Sequence, residues 1–326
     1  MTKIAFLGAF SASLMEPVRR RLDSSVQAFN CDEASAIARL GDVDVVVSMA
    51  FSREMAQAAP ALRLVQVPGA GLDRIDRMAL RPETYLANVY GHETGIAEYV
   101  FGAMLALTRS FGRLDRKLRS GEWESQWSVG RPAPALWPEL AGKTLSILGY
   151  GHIGQALARR AAAFDMEVCA IKRHVPAARP PELSFLGGPE SLREVMSRAD
   201  YLAVTLSLSD TTRDLLGANE LAHMKPSAIL INVARAEIIN EEALYRCLSD
   251  RAIAGAALDV WYHYPNSADA TLPASQPFQD LDNVLMTPHV SGWTEGMLEA
   301  RSALIAENIT RAMHGEPPLN MIAALP

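Results

Sequence analysis

Short apolar runs alternate with segments of helical spacing in the first third of the chain. Residues 4–7, 43–48 and 64–67 are almost continuously apolar, as in strands that a parallel sheet buries on both faces. Between the first two, residues 33–39 have the spacing of a helix. This alternation is typical of βαβ units and predicts an α/β fold with parallel sheets.

A second alternating series occupies the middle of the chain. Strands are predicted at Thr144–Leu148, Glu167–Ile171, 201–205, 228–233, 254–258 and Val284–Met286. Helices are predicted between most of them, and the clearest covers 154–164. Two series of βαβ units predict two Rossmann-like, doubly wound parallel-sheet domains.

The segments that join and end these series have other patterns. Residues 93–110 are rich in Ala, Leu and Met and predict a long buried helix, and 295–314 predict a last helix before Gly315. Residues 111–138 show little regular pattern but hold Trp123, Trp127 and Trp137, so this arm is expected to pack on something, such as a second subunit. Residues 265–277 predict a loop.

Composition and charge narrow the class of protein. The 326 residues are 49% hydrophobic and carry a net charge of -6, which argues against a nucleic-acid binder. No apolar run approaches the roughly 20 residues that span a bilayer. The three cysteines match no metal-ligand spacing and fit a reducing compartment. We expect a cytoplasmic protein without a metal, nucleic-acid partner or membrane segment.

The most informative motif directly follows the predicted strand Thr144–Leu148. Gly149, Gly151 and Gly154 form a Gly-x-Gly-x-x-Gly turn that opens an Ala-rich helix. The first glycine permits a tight turn, the second lets a pyrophosphate approach the backbone, and the third lets the helix pack on the strand. The helix N-terminus then offers N–H groups to the phosphates. The motif predicts a dinucleotide site.

The end of the next strand indicates which dinucleotide is preferred. An acidic residue there would bind the ribose hydroxyls of NAD, but this strand continues with Lys172, Arg173 and His174. Two cations in that place can bind a 2′-phosphate. The sequence predicts NADP as the preferred cofactor, with NAD possible.

Three further segments follow strands of the second series. They are 231–235, which ends in Arg235, 256–260, which contains Asp259, and 286–292, which contains His289. Together with three other segments, they occur in the order typical of the D-2-hydroxyacid dehydrogenase family; these are 66–76, 206–212 and 224–235. The chain resembles that family over nearly its whole length. Several separated motifs in order are far more specific than any one of them.

The resemblance implies two domains with a cleft between them. The substrate domain would comprise residues 1–95 and 291–326, and the cofactor domain 96–290, with a helix and arm at about 96–138 in a homodimer interface. The activity implied is hydride transfer between NADP(H) and a small 2-oxo or 2-hydroxy acid, as in hydroxypyruvate and glyoxylate reductases. The cofactor would be bound by residues of several segments: Gly149, Gly151, His152, Ile153, Gly154, Lys172, Arg173, Leu206, Thr212, Val233, Ala234, Arg235, Asp259, His289, Ser291 and Gly292.

The resemblance also implies roles in the chemistry. Arg235 would hold the substrate carboxylate and polarise the 2-oxo group, because its planar fork suits paired oxygens. His289 would be the acid in reduction and the base in oxidation. The backbone N–H groups of Ala70 and Gly71 would bind the same carboxylate, while Met49 and Phe51 would line the side-chain pocket or belong to the core.

Two positions depart from the family pattern: Ala236 stands where the family usually has Gly, a small change, and the other departure affects the catalytic set. The family pairs its histidine with a Glu shortly after the Asp-Val pair, and Tyr264 stands at that spacing here. We count Tyr264 as the third member of the catalytic set. A phenol raises a neighbouring histidine's pKa much less than a carboxylate does, so reduction should be favoured at lower pH.

The missing Glu leaves two alternatives open. One is a formate-like or other oxyacid dehydrogenase, because formate dehydrogenases of this superfamily have Gln at that place. The other is a non-catalytic dinucleotide sensor resembling the corepressors of the superfamily. A sensor would not need both Arg235 and His289, and turnover of a 2-oxo acid with NADPH would separate an enzyme from a sensor.

Overall fold

A computed structural model describes residues 1–265 and 269–322. The chain divides into two units, each described by itself. Unit 1 comprises Met1–His92 and the described residues from Trp293 onward, and unit 2 is Glu93–Gly292. The resemblance places these two junctions at 95/96 and 290/291.

Unit 1 begins with the alternation expected of βαβ units. In chain order its elements are β1 (Lys3–Leu7), α1 (Gly8–Arg19), β2 (Gln27–Cys31), β3 (Val45–Ser48), α2 (Arg53–Ala58), β4 (Leu64–Gln66) and β5 (Tyr85–Ala87). The strands form one parallel sheet in the order β2-β1-β3-β4-β5.

Both faces of the unit 1 sheet are covered. Ala5 and Leu7 of β1 pack into one hydrophobic cluster, and Ile4 and Phe6 pack into another on the opposite face. Because successive strand residues point to opposite faces, this burial explains the continuous apolar run of β1.

Unit 2 repeats this architecture on a larger scale. Its elements are α3 (Glu93–Thr108), α4 (Phe111–Arg119), β6 (Thr144–Leu148), α5 (His152–Ala161), β7 (Glu167–Ile171), β8 (Phe185–Gly187), α6 (Leu192–Arg198), β9 (Tyr201–Val204), α7 (Ala218–Leu221), β10 (Ile229–Asn232), α8 (Glu241–Ser249), β11 (Gly255–Leu258) and β12 (Val284–Met286). All strand pairs are parallel, in the order β12-β11-β10-β9-β6-β7-β8.

The course of the chain through the second sheet sets the position of the site. From β6 the chain adds β7 and β8 on one side, then crosses to place β9 on the other side of β6. Ligands bind at the carboxyl ends of strands where the strand order reverses in this way. The switch point here lies between β6 and β9.

The last helix, α9 (Glu295–Met313), returns to unit 1. Ile305 and Ile309 pack into the cluster that contains Ile4 and Phe6. The fold confirms the prediction of two parallel-sheet α/β domains.

Two local predictions were wrong. The helix expected at 33–39 is only a short 3₁₀ turn at Ala36–Arg39, of which Ala36 alone is buried, so few contacts support a longer helix. The arm at 111–138 is not irregular throughout, because α4 occupies its first part with no buried residue. Part of the loop predicted at 265–277, residues 266–268, lies outside the described residues.

Candidate active site

The glycine turn lies at the switch point of the unit 2 sheet. Gly149 follows β6 with φ of 107°, and a Cβ there would lie 2.9 Å from the carbonyl oxygen of Thr205 after β9. The Thr205 hydroxyl donates to the Gly149 carbonyl at 2.8 Å. A left-handed conformation this close to backbone admits only glycine without strain.

The other two glycines differ in what surrounds them. A Cβ on Gly154 would lie 2.6 Å from the Gly149 carbonyl oxygen, so the close approach of α5 to the turn requires that glycine. A Cβ on Gly151, just before α5, would meet nothing within 4 Å. Gly151 therefore leaves open space at the helix N-terminus, where N–H groups can bind an anion. The turn fits the pyrophosphate of a dinucleotide.

Cations follow β7 beside this turn. The Lys172 ammonium is 5.9 Å from the centre of the Tyr150 ring, and Arg173 and His174 are exposed. A carboxylate is also present nearby, since the Tyr150 hydroxyl donates to Glu182 at 2.5 Å. Burial, together with Glu182, raises the pKa of Tyr150, whereas this hydrogen bond lowers the pKa of Glu182.

Arg235 lies in a turn that a buried amide holds in place. Asn232 ends β10 and is 1% exposed. Its Oδ1 accepts from the Ala234 N–H and its Nδ2 donates to the Arg235 carbonyl, both at 3.0 Å. Nη1 of Arg235 donates to the Ala234 carbonyl at 2.8 Å. Sequence reasoning missed Asn232, although a polar residue at the end of a buried strand is a usable signal.

His289 contacts the tyrosine that stands at the family's Glu position. Nδ1 of His289 is 2.8 Å from Oη of Tyr264, and either atom can be the donor, depending on the tautomer. Burial raises the pKa of Tyr264, whereas the Trp261 N–H and the charge of Arg235 lower it. The structure thus places His289 in contact with Tyr264, and the charge of Arg235 acts on the same phenol.

The loop that carries His289 is bound to a buried carboxylate. Asp259 is fully buried and accepts from the Thr287 hydroxyl at 2.6 Å, the Val290 N–H at 2.9 Å and the Ser291 N–H at 2.8 Å. Its carboxylate therefore accepts hydrogen bonds from three groups of this loop.

The other residues predicted in unit 2 lie in the segments that follow these strands. Val233, Ala234 and Ser291 are buried. Ile153, Leu206 and Gly292 are half-buried, whereas His152 is exposed. The Thr212 hydroxyl accepts from the Ser209 N–H at 2.8 Å, which holds the 206–212 segment in a turn.

The residues predicted in unit 1 follow β3 and β4. Asn88 Nδ2 donates to the Ala70 carbonyl at 3.0 Å. Because a trans peptide points its C=O and the next N–H in opposite directions, this bond turns the Gly71 N–H away from Asn88. Ala70, Gly71 and Met49 are half-buried, while Phe51 is fully buried in the core.

Residues 1–265 and 269–322 contain no cluster of His, Cys, Asp or Glu that could hold a metal ion. None of the helices in this part of the chain is long and apolar enough to cross a membrane. A surface cavity of about 880 Å³ in unit 1, lined by Lys3, Phe29 and Arg39 among others, contains none of the predicted site residues.

Comparison with known proteins gives matches in both sequence and structure. The model of the D-isomer specific 2-hydroxyacid dehydrogenase NAD-binding domain matches residues 101–291. A glyoxylate reductase of Pyrococcus furiosus is 34% identical over 289 residues, which cover 87% of this chain and 83% of that protein.

Two solved structures extend the likeness to almost the whole chain. A 2-hydroxyacid dehydrogenase from Ketogulonicigenium vulgare Y25 superposes with a TM-score of 0.80 at 31% identity, covering 99% of each chain. An NADPH-dependent glyoxylate/hydroxypyruvate reductase from Sinorhizobium meliloti, in complex with NADP and malonate, gives 0.81 at 26% identity, covering 99% of this chain and 97% of that one.

Proposed function

This chain belongs to the D-isomer specific 2-hydroxyacid dehydrogenase family, and we propose that it reduces a small 2-oxo acid with NADPH as its preferred hydride donor. One observation carries the proposal. The glycine turn, Arg235 and His289 follow β6, β10 and β12, which are parallel strands of one sheet. Their carboxyl ends share an edge, so phosphate-binding and acid–base groups lie on the same side of unit 2.

The roles follow from the chemistry of these side chains. NADPH supplies the hydride when bound. Arg235 binds the substrate carboxylate and polarises the 2-oxo group, and His289 gives a proton to the oxygen as C2 is reduced. Tyr264 binds Nδ1 of His289. In this proposal Nε2 is the atom that gives the proton to the substrate.

The preference for NADPH rests on the end of β7. Lys172 and Arg173 stand where an NAD enzyme usually has a carboxylate that would repel a 2′-phosphate. The Glu182 carboxylate is hydrogen-bonded to Tyr150. Each charge-assisted hydrogen bond to the phosphate contributes about 1.5–3 kcal/mol.

For unit 1 the proposal concerns the turn after β4. The N–H groups of Ala70 and Gly71 bind a carboxylate, and the Asn88 bond to the Ala70 carbonyl orients the Gly71 N–H. Met49 contributes to the pocket for the acid's side chain. Phe51 supports that loop from the core.

The test is steady-state reduction of glyoxylate and hydroxypyruvate with NADPH and with NADH. We expect a higher kcat/KM with NADPH. Lys172→Ala combined with Arg173→Ala removes two such bonds, about 3–6 kcal/mol, so the KM for NADPH should rise by about 100-fold or more. The KM for NADH should change little. Lys143→Ala is the matched control, because Lys143 precedes β6 at the opposite edge of the sheet.

Three results would contradict this proposal. Equal or better use of NADH would refute the cofactor preference. Tight NADPH binding without turnover of any 2-oxo acid would favour a dinucleotide sensor. Oxidation of formate would favour an oxyacid dehydrogenase.

The chain also acts as a homodimer in this proposal. The arm after α3 exposes large apolar side chains, with Trp127 75%, Leu136 97% and Val129 98% exposed. Apolar surface of this kind marks an interface. Sedimentation should give a dimer, and Trp127→Glu should weaken it; a monomeric wild type would contradict this part.

A further inference from the structure

A chain of three side chains runs from α3 to the loop that carries His289. Oη of Tyr99 is 2.6 Å from Oγ1 of Thr287, and the Thr287 hydroxyl donates to Asp259 at 2.6 Å. Tyr99 lies on α3 and Thr287 directly follows β12. Neither residue has a part in binding or chemistry as described so far.

The hydrogen bonds among these three side chains have a fixed direction. An ionised carboxylate only accepts hydrogen bonds, so the Thr287 hydroxyl uses its one proton on Asp259. The oxygen of Thr287 must then accept from Tyr99. Burial raises the pKa of Tyr99 to about 12, with a smaller contribution from Asp259, so this phenol remains a donor throughout the neutral range.

The loop needs an anchor because its backbone is strained. His289 has φ of 58°, in the left-handed region that a residue with a side chain rarely adopts. Its own N–H bonds the Thr287 carbonyl, and the next two N–H groups bond Asp259. A conformation of this kind persists only where the surroundings hold it.

We infer that Tyr99 and Thr287 are positioning residues that hold the Asp259 carboxylate, and through it the loop, in the conformation that places the His289 imidazole against Tyr264. The inference rests on the acid–base role of His289 in the proposed function. Without the Thr287 hydroxyl, Asp259 loses one of its hydrogen-bond donors. Without the Tyr99 hydroxyl, Thr287 loses the donor that fixes its orientation towards Asp259. The loop can then relax and draw the imidazole away from its working position.

The same unit contains a matched control pair. The Tyr201 hydroxyl is 2.8 Å from the Thr108 hydroxyl, and both residues are buried, with Thr108 also on α3. Neither makes a described hydrogen bond to Asp259 or to residues 287–291. Tyr201→Phe therefore removes a hydroxyl bond between a tyrosine and a threonine, as Tyr99→Phe does, without touching the His289 loop.

The experiment compares Tyr99→Phe, Thr287→Val, Thr287→Ser and Tyr201→Phe with wild type. We expect Tyr99→Phe and Thr287→Val to lower kcat by about 5- to 10-fold while each KM changes less than about twofold, because one hydrogen bond holds a reacting group in place. Thr287→Ser keeps the hydroxyl and should restore kcat. Tyr201→Phe should lower Tm about as much as Tyr99→Phe and leave kcat unchanged.

Hydrogen exchange of a peptide covering 287–292 separates this inference from the proposed function. Exchange should speed up in Tyr99→Phe and stay at the wild-type rate in Tyr201→Phe, whether or not a 2-oxo acid is turned over. Unchanged exchange in Tyr99→Phe, or equal loss of kcat in both phenylalanine variants, overturns the inference. A wild type that turns over no 2-oxo acid overturns the proposed function instead.

Discussion

Tyr264→Glu puts a carboxylate where the structure has a phenol hydroxyl 2.8 Å from Nδ1 of His289. The phenol remains neutral because burial raises its pKa. A carboxylate in its place would favour the protonated imidazole and raise the pKa of His289 relative to wild type. Reduction needs the protonated imidazole, so the variant should keep its activity to higher pH.

The size of the shift follows from the distance and the exposure. Two unit charges about 4 Å apart interact by about 1 kcal/mol in water and about 4 kcal/mol at an effective dielectric constant of about 20. Tyr264 is 50% exposed, so solvent screening favours the lower end, about 1–2 kcal/mol. At about 1.4 kcal/mol per unit, the midpoint should rise by about one pH unit.

The assay is the pH dependence of kcat/KM for reduction with saturating NADPH. Tyr264→Phe removes the hydroxyl without adding charge, so it should lower kcat and leave the midpoint in place. Tyr262→Phe is the control, since the Tyr262 hydroxyl bonds the Ile239 carbonyl and not His289. A midpoint that does not move in Tyr264→Glu would refute the coupling.

Four further substitutions test the glycine turn, Arg235 and the arm. Gly149→Ala should lower Tm by several degrees, because backbone strain at its φ of 107° costs about 1–3 kcal/mol. Gly151→Ala should leave Tm unchanged and weaken NADPH binding. Equal Tm values for the two variants would contradict this. Arg235→Lys should lower kcat/KM by about 100-fold at unchanged Tm, because lysine loses the paired hydrogen bonds; full activity would remove Arg235 from the mechanism. Hydrogen bonds from Arg113 and Lys117 lower the pKa of Glu124 to about 2, so its contribution to stability is present above about pH 4.5 and lost as the pH falls towards 2. Glu124→Gln should therefore flatten the fall in Tm over that range, and an unchanged slope would count against the ion pair.

The elements predicted best from the sequence are those in which nearly every successive residue is buried. The strand limits Thr144–Leu148 and Glu167–Ile171 agree with the structure because both faces of the sheet are covered. The edge strand Gln27–Cys31 is mostly half-buried or exposed and was missed, since its residues show no apolar run. Helix α4 was missed for a similar reason: it buries no residue within the chain.

Some residues of the candidate site could be predicted from the sequence and others could not. The glycine turn, Arg235 and His289 belong to short local motifs, so sequence order alone reveals them. Tyr99 and Thr287 are 188 positions apart, and nothing local in either segment predicts their hydrogen bond. Such supporting contacts are set by the packing of α3 on the sheet and become visible only in the folded chain.

A crystal structure with NADP⁺ and oxalate, a stable analogue of a 2-oxo acid, tests the central claim most directly. We expect the Arg235 guanidinium to pair with an oxalate carboxylate, Nε2 of His289 to contact an oxalate oxygen, and Nδ1 to remain on Tyr264. The 2′-phosphate should lie against Lys172 and Arg173. Oxalate bound away from Arg235 and His289, or a 2′-phosphate pointing away from both cations, would contradict the account.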